Sequence, residues 1–427
     1  MPKTAPKDVL VENFHVKGSP PRRWPKKIVW WDETLRDGEQ TPGVYYTHDE
    51  KLELARMISE SGVDVMNVGI PAISPNELKA VKAIANEGLD AKVLGAARTV
   101  RSDIDAVIQT DAPEIATFIA ASEVHLKHKL NLTHEQAIVK AVESVEYAKE
   151  HGLKVTFVTE DTVRADMGFV TDIYRAAIDA GAKRVLFCDT VGVMTPSTFG
   201  WWLDKMVARI KRPKVEYGVH IHNDFGMGVA NTLTALEHGI PCVNTTVNGI
   251  GERAGNACFE ELVMALEELY HVKTHIDKKA LYALSRRVEE ISGVPVAFNK
   301  AVTGYNAFTH ESGIHTDGVI KNTLTYEPMQ VEELGRRRRF VFGKHTGTRA
   351  VEARLSDAGL KATKEQLVAI ANDIKVHTEN HTKEYVRDFI TAYRTWDRDN
   401  KGVSPEVFWA IAKRNGLKVP AKIPQTV

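Results

Sequence analysis

Two histidines separated by one residue, His220 and His222 in "YGVHIHNDFG", have a spacing that implies chemistry. In an extended strand the side chains alternate, so residues two apart project to the same side and both imidazoles can grip one metal ion. A divalent ion also needs a charged oxygen ligand. Asp37, in "WWDETLRDGEQTPG", supplies one if the first strand of the fold lies beside the last strands. One carboxylate and two imidazoles without thiolate favour Mg2+, Mn2+ or Zn2+ and leave positions for a bidentate substrate. Arg36, next to Asp37, stays protonated and adds fixed positive charge. Glu39 is read as a turn and hydrogen-bonding residue.

Such residues need a scaffold that brings distant segments together. From Lys27 onward, short β-branched runs alternate with longer amphipathic ones, the rhythm of βαβ units and a parallel sheet. Strands are predicted at "KIVWWD", "VDVMNVG", "KVLGAAR", "EIATFIAAS", "KVTFVTED", "RVLFCDT", "YGVHIHN" and "CVNTTVNG", with helices such as "HDEKLELARMISES" between them. About eight repeats ending near His271 predict an α/β fold of the (β/α)8 TIM-barrel type. A doubly wound open sheet is the rival, because closure does not show in a sequence. Polar residues gather at the carboxyl ends of these strands: Arg36 and Asp37, Asn67, Arg98, Glu160 and Asp161, Asp189 and Thr190, the two histidines, and Asn248. In a barrel those ends open on one face, where active sites are built. The expected organisation is an N-terminal arm (1–26), a barrel (27–272), a mostly helical linker subdomain that contributes to the active site (273–348), and a C-terminal helical region (349–427).

Composition narrows the function. Lysines plus arginines equal aspartates plus glutamates at 56 each, so no global field draws the chain to nucleic acid or anionic membrane. No apolar run approaches the roughly 20 residues of a membrane span. Cys188, Cys242 and Cys258 lack CxxC spacing and read as buried free thiols, which fits a reducing cytoplasm. "GRRRRF" is read as a solvated or ion-paired face. "DRDNKGVSPEVF" imitates a calcium loop, but Lys401 and Phe408 stand where ligands belong, and calcium is rejected. "NGIGERAGN" is a glycine-rich loop before a helix, suited to a pyrophosphate through its backbone amides, with Gly249, Gly251 and Glu252 as the expected contacts.

Four motifs in order, "DETLRDGEQTPG", "HIHNDFGMGVANTLTALEHG", "NGIGERAGN" and "FTHESGIHTDGVIKN" with a later "TYEP", resemble the acetyl-CoA-dependent, 2-oxo acid condensing metalloenzymes: the homocitrate, 2-isopropylmalate and citramalate synthases. The likeness runs from about Lys27 to Gly347, departing at Glu33, Met227 and Thr316. It implies that Asp37, His220 and His222 bind the metal, with Asn256 a weaker ligand, and that Arg36 steadies the developing oxyanion. Thr190 would hold the 2-oxo acid carboxylate, with Arg36 and Gln40 also on the substrate. Glu160 and His315 would carry the acid-base work, supported by Tyr326. The implied enzyme is an acyltransferase joining acetyl-CoA to a 2-oxo acid, homocitrate synthase-like, with a 2-isopropylmalate or citramalate synthase as the alternative. A reverse-Claisen lyase of the hydroxymethylglutaryl-CoA type is a further alternative; those enzymes carry a cysteine in the glycine-rich loop, and "GIGERAGN" has none. The resemblance also implies a homodimer in which the linker subdomain of one chain crosses over the partner's barrel. The tail after "FGKHTGT" is expected to be too short for a leucine-sensing regulatory domain.

Overall fold

The computed structural model describes residues 22–418 apart from Thr382 and Lys401; most of the expected N-terminal arm, residues 1–21, lies outside the described residues. Eight parallel strands form a closed barrel: β1 (Val29–Asp32), β2 (Val65–Asn67), β3 (Lys92–Arg98), β4 (Glu114–Ala120), β5 (Lys154–Glu160), β6 (Arg184–Asp189), β7 (Glu216–Ile221) and β8 (Cys242–Thr245). Closure is carried by β1 on β8, where Trp30 pairs with Val243 and Trp31 with Asn244. The open-sheet rival is thereby excluded.

Local chemistry starts the surrounding helices where the sequence suggests. Thr47 and Glu50 form a reciprocal capping box before the helix His48–Glu60, and Thr133 with Gln136 does the same before His134–Glu150. Inside the barrel Trp31, Val65, Leu94, Ala116, Leu186 and Cys242 form one apolar layer. Below it, at the amino ends of the strands, the Arg184 guanidinium lies 5.0 Å from the Trp31 ring and pairs with Glu114 and Glu216. Arg184 and Glu114 line a polar opening at the amino end of the barrel, beneath the apolar layer.

Lys51 is 1% exposed and binds Glu39 Oε2 at 2.7 Å and Glu77 Oε1 at 2.7 Å. Glu39 also accepts from the Tyr46 amide at 2.8 Å. It therefore anchors the turn that carries Arg36 and Asp37. Removing one member of so buried an ion group typically costs about 3–5 kcal/mol.

The chain divides into two compact units. The first holds the barrel, the helix Lys278–Ser292 and residues 322 to 339; the second holds residues 42 to 45, 310 to 321 and the chain from 340 onward. In the second unit Val351, Leu367 and Ala371 form a small core with Leu355, Ala362, Ile370 and Ile374 around it. There a Cβ on Gly313 would lie 2.8 Å from the Gly347 Cα, so the helix Gly313–Lys321 starts with its backbone against that glycine.

Within the arginine run Arg338 is ion-paired, in line with the solvated or ion-paired face expected, whereas Arg336 is buried on backbone carbonyls and departs from it. Arg338 binds Glu327, and Arg336 donates to the carbonyls of Val302 and Gly304. No helix among the described residues is long and apolar enough to cross a membrane.

Candidate active site

The turn after β1 and the end of β7 meet at the carboxyl mouth of the barrel. Backbone amides of Arg36, Asp37 and Gly38 converge on the Glu33 carbonyl, fixing the turn that projects Asp37 inward. His220 is the penultimate residue of β7, paired with Cys188, and His222 follows the strand in a bridge with Asn256. The Nε2 atoms of the two histidines are 3.2 Å apart and lie 3.8 and 3.6 Å from Asp37 Oδ2. All three side chains are buried.

Their ionisation suits a cation. Burial alone would raise the Asp37 carboxyl, but the Arg36 guanidinium, the two imidazoles and the Asn256 amide hold it down to about 2. Burial pushes His220 down to about 3, helped by His222 and opposed by Asp37. It lowers His222 as well, again against Asp37. Near neutral pH the cluster is one carboxylate and two neutral imidazoles with lone pairs to offer. Among the described residues these ligand atoms lie within 4.8 Å of one another. Asn256 donates to Asp37 Oδ2 at 2.5 Å, while its own Oδ1 is buried and without a partner. An orphaned carbonyl oxygen beside a carboxylate and two imidazoles fits a hard divalent cation.

Above this cluster opens a cavity of about 310 Å3. Its floor is mostly apolar and uncharged, with Trp31, Ala96, Ala116, Phe118, Val158 and Leu186 beside the amides of Asn67 and Asn244, and its rim is polar. Arg36 enters from one side. Its Nε donates to Glu33 Oε2 at 2.6 Å, and one terminal nitrogen reaches Asp37 Oδ1 at 3.1 Å and Gln40 Oε1 at 3.3 Å. Burial disfavours the guanidinium charge, yet Glu33 and Asp37 raise its pKa further, so it stays cationic. Thr190 lines the opposite side. Its Oγ1 accepts from the Asp161 amide at 2.8 Å, which leaves the hydroxyl hydrogen free to donate into the cavity.

Nine of the residues expected from sequence line this cavity: Arg36, Asp37, Gln40, Asn67, Glu160, Thr190, His220, His222 and Glu252. Four polar strand ends do not: Asp161 is held by Arg164, and the other three turn to partners of their own. Arg98 turns outward to Asp103, Asp189 accepts from the amides of Val193 and Met194, and Asn248 donates to the Ser285 carbonyl. The loop glycines differ from expectation in one respect. The amides of Gly249 and Gly255 are committed to the Thr246 and Glu252 carbonyls, so Gly249 offers no amide to a pyrophosphate. What these glycines allow is close approach: a Cβ on Gly251, at φ +155°, would meet Asn256 and sit 3.2 Å from Asp37 Oδ2. His315 is exposed on the helix Gly313–Lys321 of the second unit. Tyr326, 43% exposed, follows the turn Thr323–Thr325 in the first unit.

Sequence reasoning missed Lys129 and Arg253 on the rim, and the role of Glu33 in holding Arg36. Arg253 binds Asp224 and the Thr190 carbonyl. The departure at Glu33 was the available signal for that role. The three cysteines are buried free thiols, and Cys258 donates its thiol to Glu260 at 2.8 Å rather than lining the cavity.

A closed parallel barrel with a carboxylate and two imidazoles at its carboxyl mouth places a candidate metal site where barrel enzymes build their active sites. This chain belongs to the HMGL-like family, which it matches over residues 27–288; residues 302–382 match the homocitrate synthase post-HMGL domain-like family. It is 45% identical over 385 residues to a homocitrate synthase of Methanopyrus kandleri, covering 88% of this chain and 96% of that protein. It is 46% identical over 359 residues to a 2-isopropylmalate synthase of Sulfurisphaera tokodaii, covering 84% and 92%. Among solved structures, a Bacillus subtilis HMG-CoA lyase aligns with a TM-score of 0.58 at 22% identity, over 64% of this chain and 96% of that one, a likeness of fold.

Proposed function

We propose that this enzyme is an acyltransferase that condenses acetyl-CoA with a 2-oxo acid, giving a 2-alkylmalate-type product and free CoA. The observation that carries the reading is the Asp37, His220 and His222 cluster facing a cavity whose rim also presents Arg36 and Thr190. A divalent ion, Mg2+, Mn2+ or Zn2+, held there would polarise a ketone and spread the negative charge that develops on its oxygen.

This chain's residues do the rest. Thr190 donates its hydroxyl hydrogen to the oxo acid carboxylate. Arg36, kept cationic by Glu33 and Asp37, faces the ketone oxygen where charge appears. Glu160 and His315, aided by Tyr326, exchange protons: one takes a methyl proton from acetyl-CoA, and the carbon so released forms a bond to the ketone carbon. The new alkoxide is then protonated, and water cleaves the thioester to carboxylate and CoA thiol. Gly251 and Glu252 border the acetyl-CoA side. We place His315 in trans, supplied by the linker subdomain (273–348) of the second chain of a homodimer.

The finer reading is homocitrate synthase-like, as the Methanopyrus kandleri relative suggests. A second reading, a 2-isopropylmalate or citramalate synthase, is favoured by one observation: the cavity floor of Ala96, Ala116, Phe118, Val158 and Leu186 carries no cation for a distal carboxylate. A carboxylate buried against such a floor would go unpaired, at a cost of several kcal/mol. Thiol release with acetyl-CoA and a panel of 2-oxo acids separates the readings. With a mostly apolar, uncharged floor, pyruvate or 2-oxoisovalerate is turned over at least about tenfold more efficiently than 2-oxoglutarate, the discrimination that roughly 1.4 kcal/mol gives. Preference for 2-oxoglutarate returns the assignment to homocitrate, and no thiol release with any of them contradicts the condensing reading.

A further inference from the structure

Outside the metal cluster, a chain of charged groups crosses the cavity wall and meets Glu160, and its other members have no role in the chemistry above. Between β4 and the helix His134–Glu150 the backbone makes a single π-helical turn, Leu126–Leu130, ended by Asn131 in the left-handed conformation at φ 53°. π turns insert an extra residue per turn and are frequent at functional sites. This one brings Lys129 to the cavity rim, where its Nζ lies 2.8 Å from Glu160 Oε1 and 2.7 Å from Oε2.

The other side of Glu160 is bounded too. His125 Nε2 stands 3.6 Å from Glu160 Oε1, and its Nδ1 is 2.9 Å from Ser122 Oγ and 3.0 Å from Asp161 Oδ2. Asp161 is fully buried, held by Arg164 through 2.8 Å bonds, and left-handed at φ 59°. Its backbone amide is the one that orients Thr190. One buried residue thus ties the Thr190 hydroxyl and, through His125, the Glu160 carboxylate to a single frame. Lys129 completes that frame from the solvent side, its side chain 51% exposed.

We propose that Lys129 is a positioning residue for Glu160. Its ammonium spans both carboxylate oxygens and fixes the rotamer of the group, so that a proton from acetyl-CoA meets a correctly aimed oxygen. The inference rests on the condensing reading and on Glu160 as a proton-transfer group. A surface pair of this exposure contributes little to folding, so Lys129 acts on the rate and not on stability.

The test compares the full chain with its Lys129→Met, Lys129→Arg and Glu160→Gln variants and the Lys129→Met, Glu160→Gln double variant. The measurements are thermal midpoint, kcat and KM for the 2-oxo acid, and the isotope effect with methyl-deuterated acetyl-CoA. Lys129→Met is expected to keep the wild-type midpoint and a KM within a few-fold. It should lower kcat by about 100-fold, the lower bound of general acid-base catalysis, and raise the isotope effect. Lys129→Arg should recover most of kcat. In the Glu160→Gln background the same change should add almost nothing, because the partner it positions is gone.

Wild-type kcat in Lys129→Met, or equal losses with and without the Glu160 carboxylate, would overturn the proposal. A loss confined to KM would overturn it as well, making Lys129 a substrate contact. A wild type inactive with every 2-oxo acid would overturn the condensing reading beneath it, an outcome distinct from all of these.

Discussion

Stripping the enzyme with a chelator abolishes thiol release, and Mg2+, Mn2+ or Zn2+ restores it. The expectation follows from the donor set: a carboxylate held ionised and two imidazoles held neutral, all buried within 4.8 Å. Without a cation, Asp37 is left with the two neutral rings, Arg36 and the Asn256 amide, and nothing polarises the ketone. Changing Asp37 to Asn removes the only acidic ligand of the cluster and should lower kcat/KM on the order of 1000-fold, at the upper end of what one lost electrostatic contact costs. Folding should survive, because the substitution is isosteric and Asn256 and Arg36 remain to frame the position. Full turnover by a metal-stripped protein carrying His220→Ala and His222→Ala would refute the metal assignment.

Activity should also return when two inactive proteins are mixed. Asp37→Ala subunits lack a metal ligand but carry His315, and His315→Ala subunits carry an intact barrel. If His315 serves the partner's barrel in a two-fold dimer, each heterodimer regains one complete site. Random exchange makes half the dimers mixed, with one of two sites whole, so activity should reach about a quarter of wild type. A catalytic imidazole must come within hydrogen-bond reach of its substrate, and His315 sits exposed on a helix of the second unit, outside the barrel that carries the cavity. Exchange confirmed by tagged subunits, with no return of activity, would mean that His315 does not act across the dimer.

The barrel was legible because the chain repeats a β-branched run and an amphipathic run eight times, and each rhythm has its own period. The metal cluster was legible for a similar reason: residues two apart on a strand share a face, and Asp37 needed only closure of β1 on β8 to join them. Which other strand-end residues point inward was not legible. Arg98 and Asn248 stand at or just past a strand's carboxyl end, as cavity-lining residues do, yet Asp103 and Ser285 draw them away. Lys129 was hidden because one π turn shifts its register, which no helical or strand periodicity reports. Arg184 was hidden because a charged residue at a strand start looks solvent-facing, while in the fold it packs under Trp31 with two carboxylates. Such positions depend on partners distant in sequence.

Whether a carbon–carbon bond forms is decided by following acetyl-CoA labelled with 13C at its methyl carbon, incubated with the metal-loaded enzyme and the preferred 2-oxo acid. In the proton-decoupled and proton-coupled 13C spectra the methyl signal should convert to a methylene beside a hydroxyl-bearing quaternary carbon, in step with thiol release. Label recovered as free acetate, with the 2-oxo acid unchanged, would show thioester hydrolysis alone and contradict the condensation.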